Sequence, residues 1–405
     1  MAVTIYQTPS LYTTAGNPVV FTFSSDQTAQ ANFSFIVEVY LGTVLHSTHQ
    51  VYRQFNTLSK INVSEIIKPT LASDLNPDGT LSKVYGDATE STYIKVHEKY
   101  GATPTLQANA TSSTVYTYNG SLRHDDWISY DFTDYVITTA VNKTFKFLTN
   151  VPRDRAYFCG LTERIFLGLL FADGTAPASN PIRLSYSLYN SSGGLIVSNT
   201  SYVASAPAQG LIFLDVSPDT LISQTSITSG NFDSCAYYLV TARSEGSGSY
   251  SGISESFKIT IDTECKRYTT RRLHWLNKFG VWDSFTFSLL STESTDVVGH
   301  EYQKEKGLWS GTSYTYPLYQ GEITGFNKTS TDSMILNSDW IHESVQQWLV
   351  RSLYESPLVY LEQASGYEPV IVNNANYILK QRKKDGLIQE AVEIKRTYSY
   401  QSQFV

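Results

Sequence analysis

Charge and sulfur are scarce in this 405-residue chain, and no long apolar run interrupts it. Charged residues make up 17%, and a formal net charge of −7 leaves no basic surplus. Affinity for phosphates comes from clustered Lys and Arg, so a general nucleic-acid binder is excluded. The three cysteines, Cys159, Cys235 and Cys265, are too few and too scattered for a disulfide framework or a zinc cluster. No apolar stretch spans a bilayer as a helix, so no membrane insertion is expected. The opening MAVTIYQTPSLYTT has neither a basic n-region nor an apolar h-region, and folding in a cytosol is the expectation. Catalytic signatures are missing too. No Ser sits in a Gly-x-Ser-x-Gly elbow, and no glycine-rich loop leads from a strand into a helix to cradle phosphate. The reading is a non-enzymatic chain with no cofactor.

What is present is sheet-forming material. Hydrophobic residues reach 41%, enough for real cores, and aromatics reach 13%, led by 29 Tyr. Tyr, Thr, Val, Ile and Phe suit a pleated, half-buried surface, so a mainly β fold is expected. In NFSFIVEVYLG, Phe33, Phe35, Val37 and Val39 alternate onto one face. The piece INVSEII that follows joins an apolar strand end to Ser64, a cap for one helical turn that Pro69 interrupts. LDVSPDTLI repeats the device, with Ser217 as cap and Pro218 at the first helical position. Each is followed by a Tyr-led strand, TYIKVHEKYG and AYYLVTARSEG. These recurrences predict two copies of one immunoglobulin-like β-sandwich plan, over residues 1–110 and 153–264.

Between the copies, residues 111–152 form an aromatic- and Asp-rich stretch, read as a packed extension or an interaction arm carrying Trp127, Tyr130, Phe132 and Tyr135. Residues 265–405 read as an α+β domain, an antiparallel sheet with one amphipathic helix across it. That helix is expected within SDWIHESVQQWLVRSLYESP. Ile341, Val345, Trp348, Leu349 and Leu353 recur at helical spacing there, Ser338 or Asp339 caps it, and Pro357 stops it. The Asp385-Gly386 pair signals a tight turn near the end.

Candidate chemistry weighs little beside bland readings. His46 and His49 lie in a strand, where residues three apart point to opposite faces. His124, Asp125, Asp126, Asp131 and Asp134 have no EF-hand spacing and read better as a solvated acidic loop, leaving open whether the loop near Asp125 binds an ion. NPDGT, Asn76 to Thr80, is ordinary turn chemistry. His342 and Glu343 splay apart as neighbours on a helix. Cys265 with His274 suggests a thiol and its base, but a lone Cys is more often a small buried hydrophobe. In the stretch CKRYTTRRLHWLNKFGVWDSFTF, Arg271, Arg272, Trp275, Phe279, Trp282, Phe285 and Phe287 form either a packing anchor or a subunit interface. Gly280 supplies φ > 0 for the turn between its two strands.

Three stretches carry a family resemblance: RLHWLNKFGVWDSFTF, SDWIHESVQQWLVRSLYESPLVYLE and EPVIVNNANYILKQRKKDGLIQEAVEIKR. Together they resemble the C-terminal half of virion structural proteins from tailed phages of Bacteroidota hosts, the crAss-like phages being the nearest group. The motif detail covers about the last third of the chain, and the two sandwich units agree only in style. The resemblance implies a ring subunit of the neck or tail, a closed homo-oligomer assembled in the host cytoplasm and resident in the virion. Its partners would be other neck and tail proteins, with DNA only as cargo through a lumen; no catalytic residues are implied. The alternative is a receptor- or glycan-binding tail module, with the Trp127 region as its aromatic platform.

Overall fold

The computed structural model describes the chain apart from residues 1–2, 55–57, 74, 76–80, 138–143, 173–181, 203–208, 247–248, 253, 265, 374–377, 380–385 and 403–405. Strands take 50% of the residues and helices 12%, a mainly β fold. Two compact units form: Met1–Thr263 with Leu276–Ser284, and Glu264–Trp275 with Phe285–Val405.

The first unit begins with β1 Thr4–Gln7, β2 Tyr12–Thr14, β3 Val20–Ser24, β4 Ser34–Leu41, β5 Val44–Val51 and β6 Ser59–Asn62. A helical turn, α1 Ser64–Ile67, precedes β7 Ser82–Tyr85, β8 Thr89–Tyr100, β9 Thr105–Thr111 and β10 Val115–Tyr118. One sheet has the order β1-β3-β6, and the other β2-β10-β8-β4-β5 with β9 also on β8. Alternation fills the space between them. Phe21, Phe23, Phe35, Val37, Val39, Ile94 and Val96 point inward and are buried. Each such side chain stabilises the fold by about 1.5–3 kcal/mol over its exposed state.

After a short helix α2 His124–Ser129, the plan recurs as β11 Val136–Ile137, β12 Tyr157–Cys159, β13 Phe166–Ala172, β14 Ile182–Tyr189, β15 Leu195–Tyr202 and β16 Gln209–Asp215. It continues with α3 Pro218–Gln224, α4 Ser229–Phe232, β17 Tyr237–Gly246, β18 Ser249–Gly252 and β19 Phe257–Ile261. The order β12-β19-β17-β14-β15 repeats β2-β10-β8-β4-β5 strand for strand, including the parallel pairing of β12 with β19 and of β2 with β10.

Side chains repeat as well. Tyr40 stacks on Tyr93 across β4 and β8, and Tyr189 on Tyr237 across β14 and β17. Asn62 Oδ1 accepts from Ser64 N at 3.1 Å, and Asp215 Oδ1 accepts from Ser217 N at 3.1 Å. The Tyr238 hydroxyl donates to Val216 O at 2.8 Å, tying β17 to the end of β16. One strand crosses between the copies. β7 follows the helical turn of the first copy but pairs antiparallel with β16 of the second, extending β11-β13-β16 to four strands.

The rest of the chain begins with β20 Arg271–Leu276 and β21 Trp282–Phe287, which the two units share, and with β22 Thr292–Gln303, β23 Leu308–Trp309, β24 Tyr314–Thr315 and β25 Ile323–Asn337 of the second unit. Then follow β26 Ile341–His342, α5 Glu343–Ser352, β27 Val359–Gln363, β28 Gly366–Val372, β29 Leu387–Ile388 and β30 Ala391–Gln401. The main sheet runs β21-β20-β27-β28-β30-β25-β22. Trp348 of α5 packs on Trp275, ring centres 5.1 Å apart, and the Trp275 indole N–H donates to Ser352 Oγ at 2.8 Å. The helix starts later than its sequence signals suggest. Ser338 instead receives Glu390 N on its hydroxyl at 2.9 Å, and Ile341–His342 pairs with β29. His342 therefore becomes the cap, its Nδ1 accepting from Ser344 N at 3.1 Å. Backbone pairing across the chain outcompetes the local cap.

The Asn76–Thr80 turn, Asp385 and Cys265 lie outside the described residues.

Two substitutions test this packing by urea unfolding. Trp275→Ala removes the largest buried side chain under α5, with an expected loss of about 4 kcal/mol. Gly280 has φ +73°, and a Cβ there would lie 1.7 Å from Asn119 O; Gly280→Ala is expected to cost about 3 kcal/mol through strain and clash. A loss under about 1 kcal/mol in either variant would contradict the packing described.

Candidate interaction surface

The aromatic stretch around β20 and β21 is turned inward. Trp275, Phe279, Trp282 and Phe287 are buried, as is Arg272, while Arg271 and Phe285 are half-buried. The division between the two units passes through this hairpin, whose tip Leu276–Ser284 belongs to the first. Asn277 organises that tip: its Oδ1 accepts from Phe279 N at 2.9 Å and Val281 N at 3.2 Å, and its Nδ2 donates to Leu148 O at 3.0 Å. Lys278 O accepts from Ser121 N at 2.8 Å, and Tyr157 donates to Ser284 O at 2.7 Å. These contacts turn the buried rings of the stretch toward the chain's own strands and loops.

The Asp-rich segment packs onto the same tip. Phe279 lies 5.1 Å from the Tyr135 ring and 5.5 Å from that of Tyr130, and Phe132 meets Tyr130 and Tyr118 edge-on. Burial drives the Tyr130 and Tyr118 hydroxyls far above the ordinary tyrosine range. Tyr130, Phe132 and Tyr135 are thus half-buried in an intrachain aromatic cluster. Trp127 on α2 is exposed, with Ile128 beside it. Three acids of this segment have protein partners: Asp126 pairs with Lys278 at 3.1 Å, Asp134 with Lys146 at 3.1 Å, and Asp131 caps Thr133 N at 2.9 Å. Among the described residues no group of three His, Cys, Asp or Glu is placed to hold a metal ion.

Buried polar groups elsewhere are paired with other side chains. His274 Nε2 meets Glu362 Oε2 at 2.8 Å, and Arg272 reaches Thr286 Oγ1 at 2.5 Å. Asp215 is held by Thr220 Oγ1 at 2.9 Å, Arg164 at 3.3 Å and Ser217. Burial raises its pKa, against the lowering pull of the Ser217 hydrogen bonds and the Arg164 charge. His46 and His49 sit on the edge strand β5, where His49 Nε2 meets Ser47 Oγ at 2.9 Å.

The open surface is in the second unit. Every residue of β22 is exposed, and β22 pairs with β25 alone, from Thr292↔Ile335 to Gln303↔Ile323. Twelve residues of strand make a ribbon about 40 Å long. Its end carries the small β23–β24 hairpin. Trp309 is 61% exposed, Tyr316 76%, Tyr319 84% and Leu318 102%. Val297, Val298, Tyr302, Ile323 and Phe326 add apolar surface along the ribbon. One signal was available: TESTDVVGHEYQ has no alternating apolar face, so it has no side to give to a core.

No family model matches the chain, and no curated protein matches it. Among solved structures, the full extracellular region of plexin A4 matches at 8% identity and a TM-score of 0.17, over 64% of this chain and 24% of that one. This chain therefore spans about a quarter of that structure's length. A tetra-tandem repeat from the extending region of a large adhesion protein matches at 8% identity and a TM-score of 0.21, over 100% of this chain and 90% of that one. Likenesses at these TM-scores carry no weight for function.

The cysteine chemistry is directly checkable. Burial pushes the Cys235 thiol up from 9.0 to about 11. The folded chain keeps this proton as pH climbs through that window while the unfolded chain loses it, so Cys235 contributes a fall in stability there and none near neutrality. Iodoacetamide near neutral pH is expected to label Cys235 only after denaturation. Peptide mass mapping that finds it modified in the native chain would refute its burial.

Proposed function

We propose that this chain is a non-enzymatic structural subunit of a virion, one protomer of a closed ring in the neck or tail of a tailed phage. The exposed ribbon carries this reading. Largest apolar patches on monomeric proteins measure about 300–600 Å², and larger ones mark association. Tyr316 and Tyr319 at the ribbon's end stand largely in water and Trp309 more than half so, the kind of surface that a partner covers. The resemblance of the last third of the chain to phage virion proteins supports the same assignment. So does the net charge of −7, since DNA slides through an acidic lumen without adhering. Assembly takes place in the host cytoplasm, beside other neck and tail proteins.

Exposed Trp127 and Ile128 favour a second reading, a glycan- or receptor-binding tail module in which they form the platform. Native mass spectrometry of the full chain separates the two. A ring subunit is expected to give a single integer multiple of 45.3 kDa and closed rings in electron micrographs. A stable monomer that binds polysaccharide, and loses that binding in Trp127→Ala, would replace the first reading with the second.

A further inference from the structure

We infer that the β22–β25 ribbon is an assembly arm whose occupant is a second copy of this chain, its edge strand β22 adding to the free edge strand β5 of that copy. The inference rests on the structural-subunit reading and names the surfaces that would join one protomer to the next.

Area comes first. A whole aromatic side chain presents about 150–250 Å², so the exposed fractions of Trp309, Tyr314, Tyr316, Leu318, Tyr319 and Ile323 with their neighbours sum to on the order of 1,000 Å². A standard stable interface buries about 800 Å² per partner. The arm alone reaches that size, and its outer part, residues 323–327 of β25 with the facing end of β22, has no third strand among the described residues and is marginal in water by itself.

The edges come second. Long edge strands normally carry Lys, Pro or other devices against pairing. Three strands of eight or more residues end their sheets: β5, β15 and β22. None contains Lys, Arg or Pro. β15 is blunted: its Asn199 side chain reaches Ser226 at 2.7 Å and takes the Thr200 N–H at 2.7 Å. β5 is not. It pairs with β4 alone, and its other main-chain edge has no hydrogen-bond partner among the described residues.

Charge chooses between the remaining edges. β22 holds Glu293, Asp296 and Glu301 and no Lys or Arg, with His300 its single histidine, so two β22 strands bring together six carboxylates and two histidines. β5, VLHSTHQV, has no acid at all, two histidines, and Val44 and Leu45 exposed at its start. An acidic donor strand meets a neutral, histidine-bearing acceptor without like-charge opposition. Because donor and acceptor are different surfaces, the contact is head-to-tail, the kind that closes into a ring when its rotation permits.

Two double variants test this in the full-length chain. Val297→Lys with Val298→Lys guards the arm, and Leu45→Lys with Thr48→Lys guards the acceptor; all four positions are exposed, and unchanged circular dichroism and melting confirm folding. Native mass is read for each alone and for their mixture. The expectation is 45.3 kDa for each variant and a 1:1 dimer of twice that mass, no larger, on mixing, because each supplies the surface the other lacks. A wild-type ring that survives in the arm variant, or variants that stay monomeric when mixed, would sink the arm-to-β5 contact while leaving the ring reading intact. Loss of binding to a neighbouring virion protein with the ring preserved would give the arm a different occupant and overturn the proposal. A monomeric wild type would overturn the ring reading itself, and this inference with it.

Discussion

A β-sheet has to end somewhere, and each end exposes a row of unpaired N–H and C=O groups. Much of this molecule is organised by how those rows are treated. β7 leaves the first sandwich to cover β16 of the second, so one edge is closed by a strand exchanged between copies within a single compact unit. β15 answers part of its own edge with the Asn199 side chain. β5 and β22 receive neither treatment. Bare edges of this length are where a further strand can add to a sheet.

The hairpin of β20 and β21 obeys a different constraint. Its tip is threaded so closely that Gly280 has no room for a side chain beside Asn119, and Asn277 turns its amide inward to satisfy the loop's own backbone. Rings of the 124–137 segment close over Phe279. The aromatics that make this stretch conspicuous are therefore consumed by packing. The buried pairs His274–Glu362 and Asp215–Arg164 hold strands and turns in place. What remains open to partners is the apolar and hydroxyl-rich ribbon.

How much of this was readable in the chain follows from the range of the interactions. The duplicated sandwich was legible because its markers are local: Phe35, Val37 and Val39 alternate within one strand, and the Asn62–Ser64 and Asp215–Ser217 devices span three residues each. The helix α5 was legible in its face but not its start, because Ser338 is drawn to Glu390, fifty-two residues away. Trp275 and Trp309 are the same residue type in similarly aromatic surroundings, yet one is buried and the other largely in water. Trp275 lies in the apolar strand run RLHWL and Trp309 between Gly307 and the turn residues Ser310 and Gly311, a local difference that favours burial of the first without fixing it.

Sequence alone determined the mainly β class and the recurrence of one strand-and-turn pattern, since alternation and propensity act between neighbours in the chain. Only the tertiary structure decided which aromatics are buried, which strand crosses between copies and which edges stay open. Those outcomes depend on distant segments competing for the same backbone hydrogen bonds and the same apolar surface.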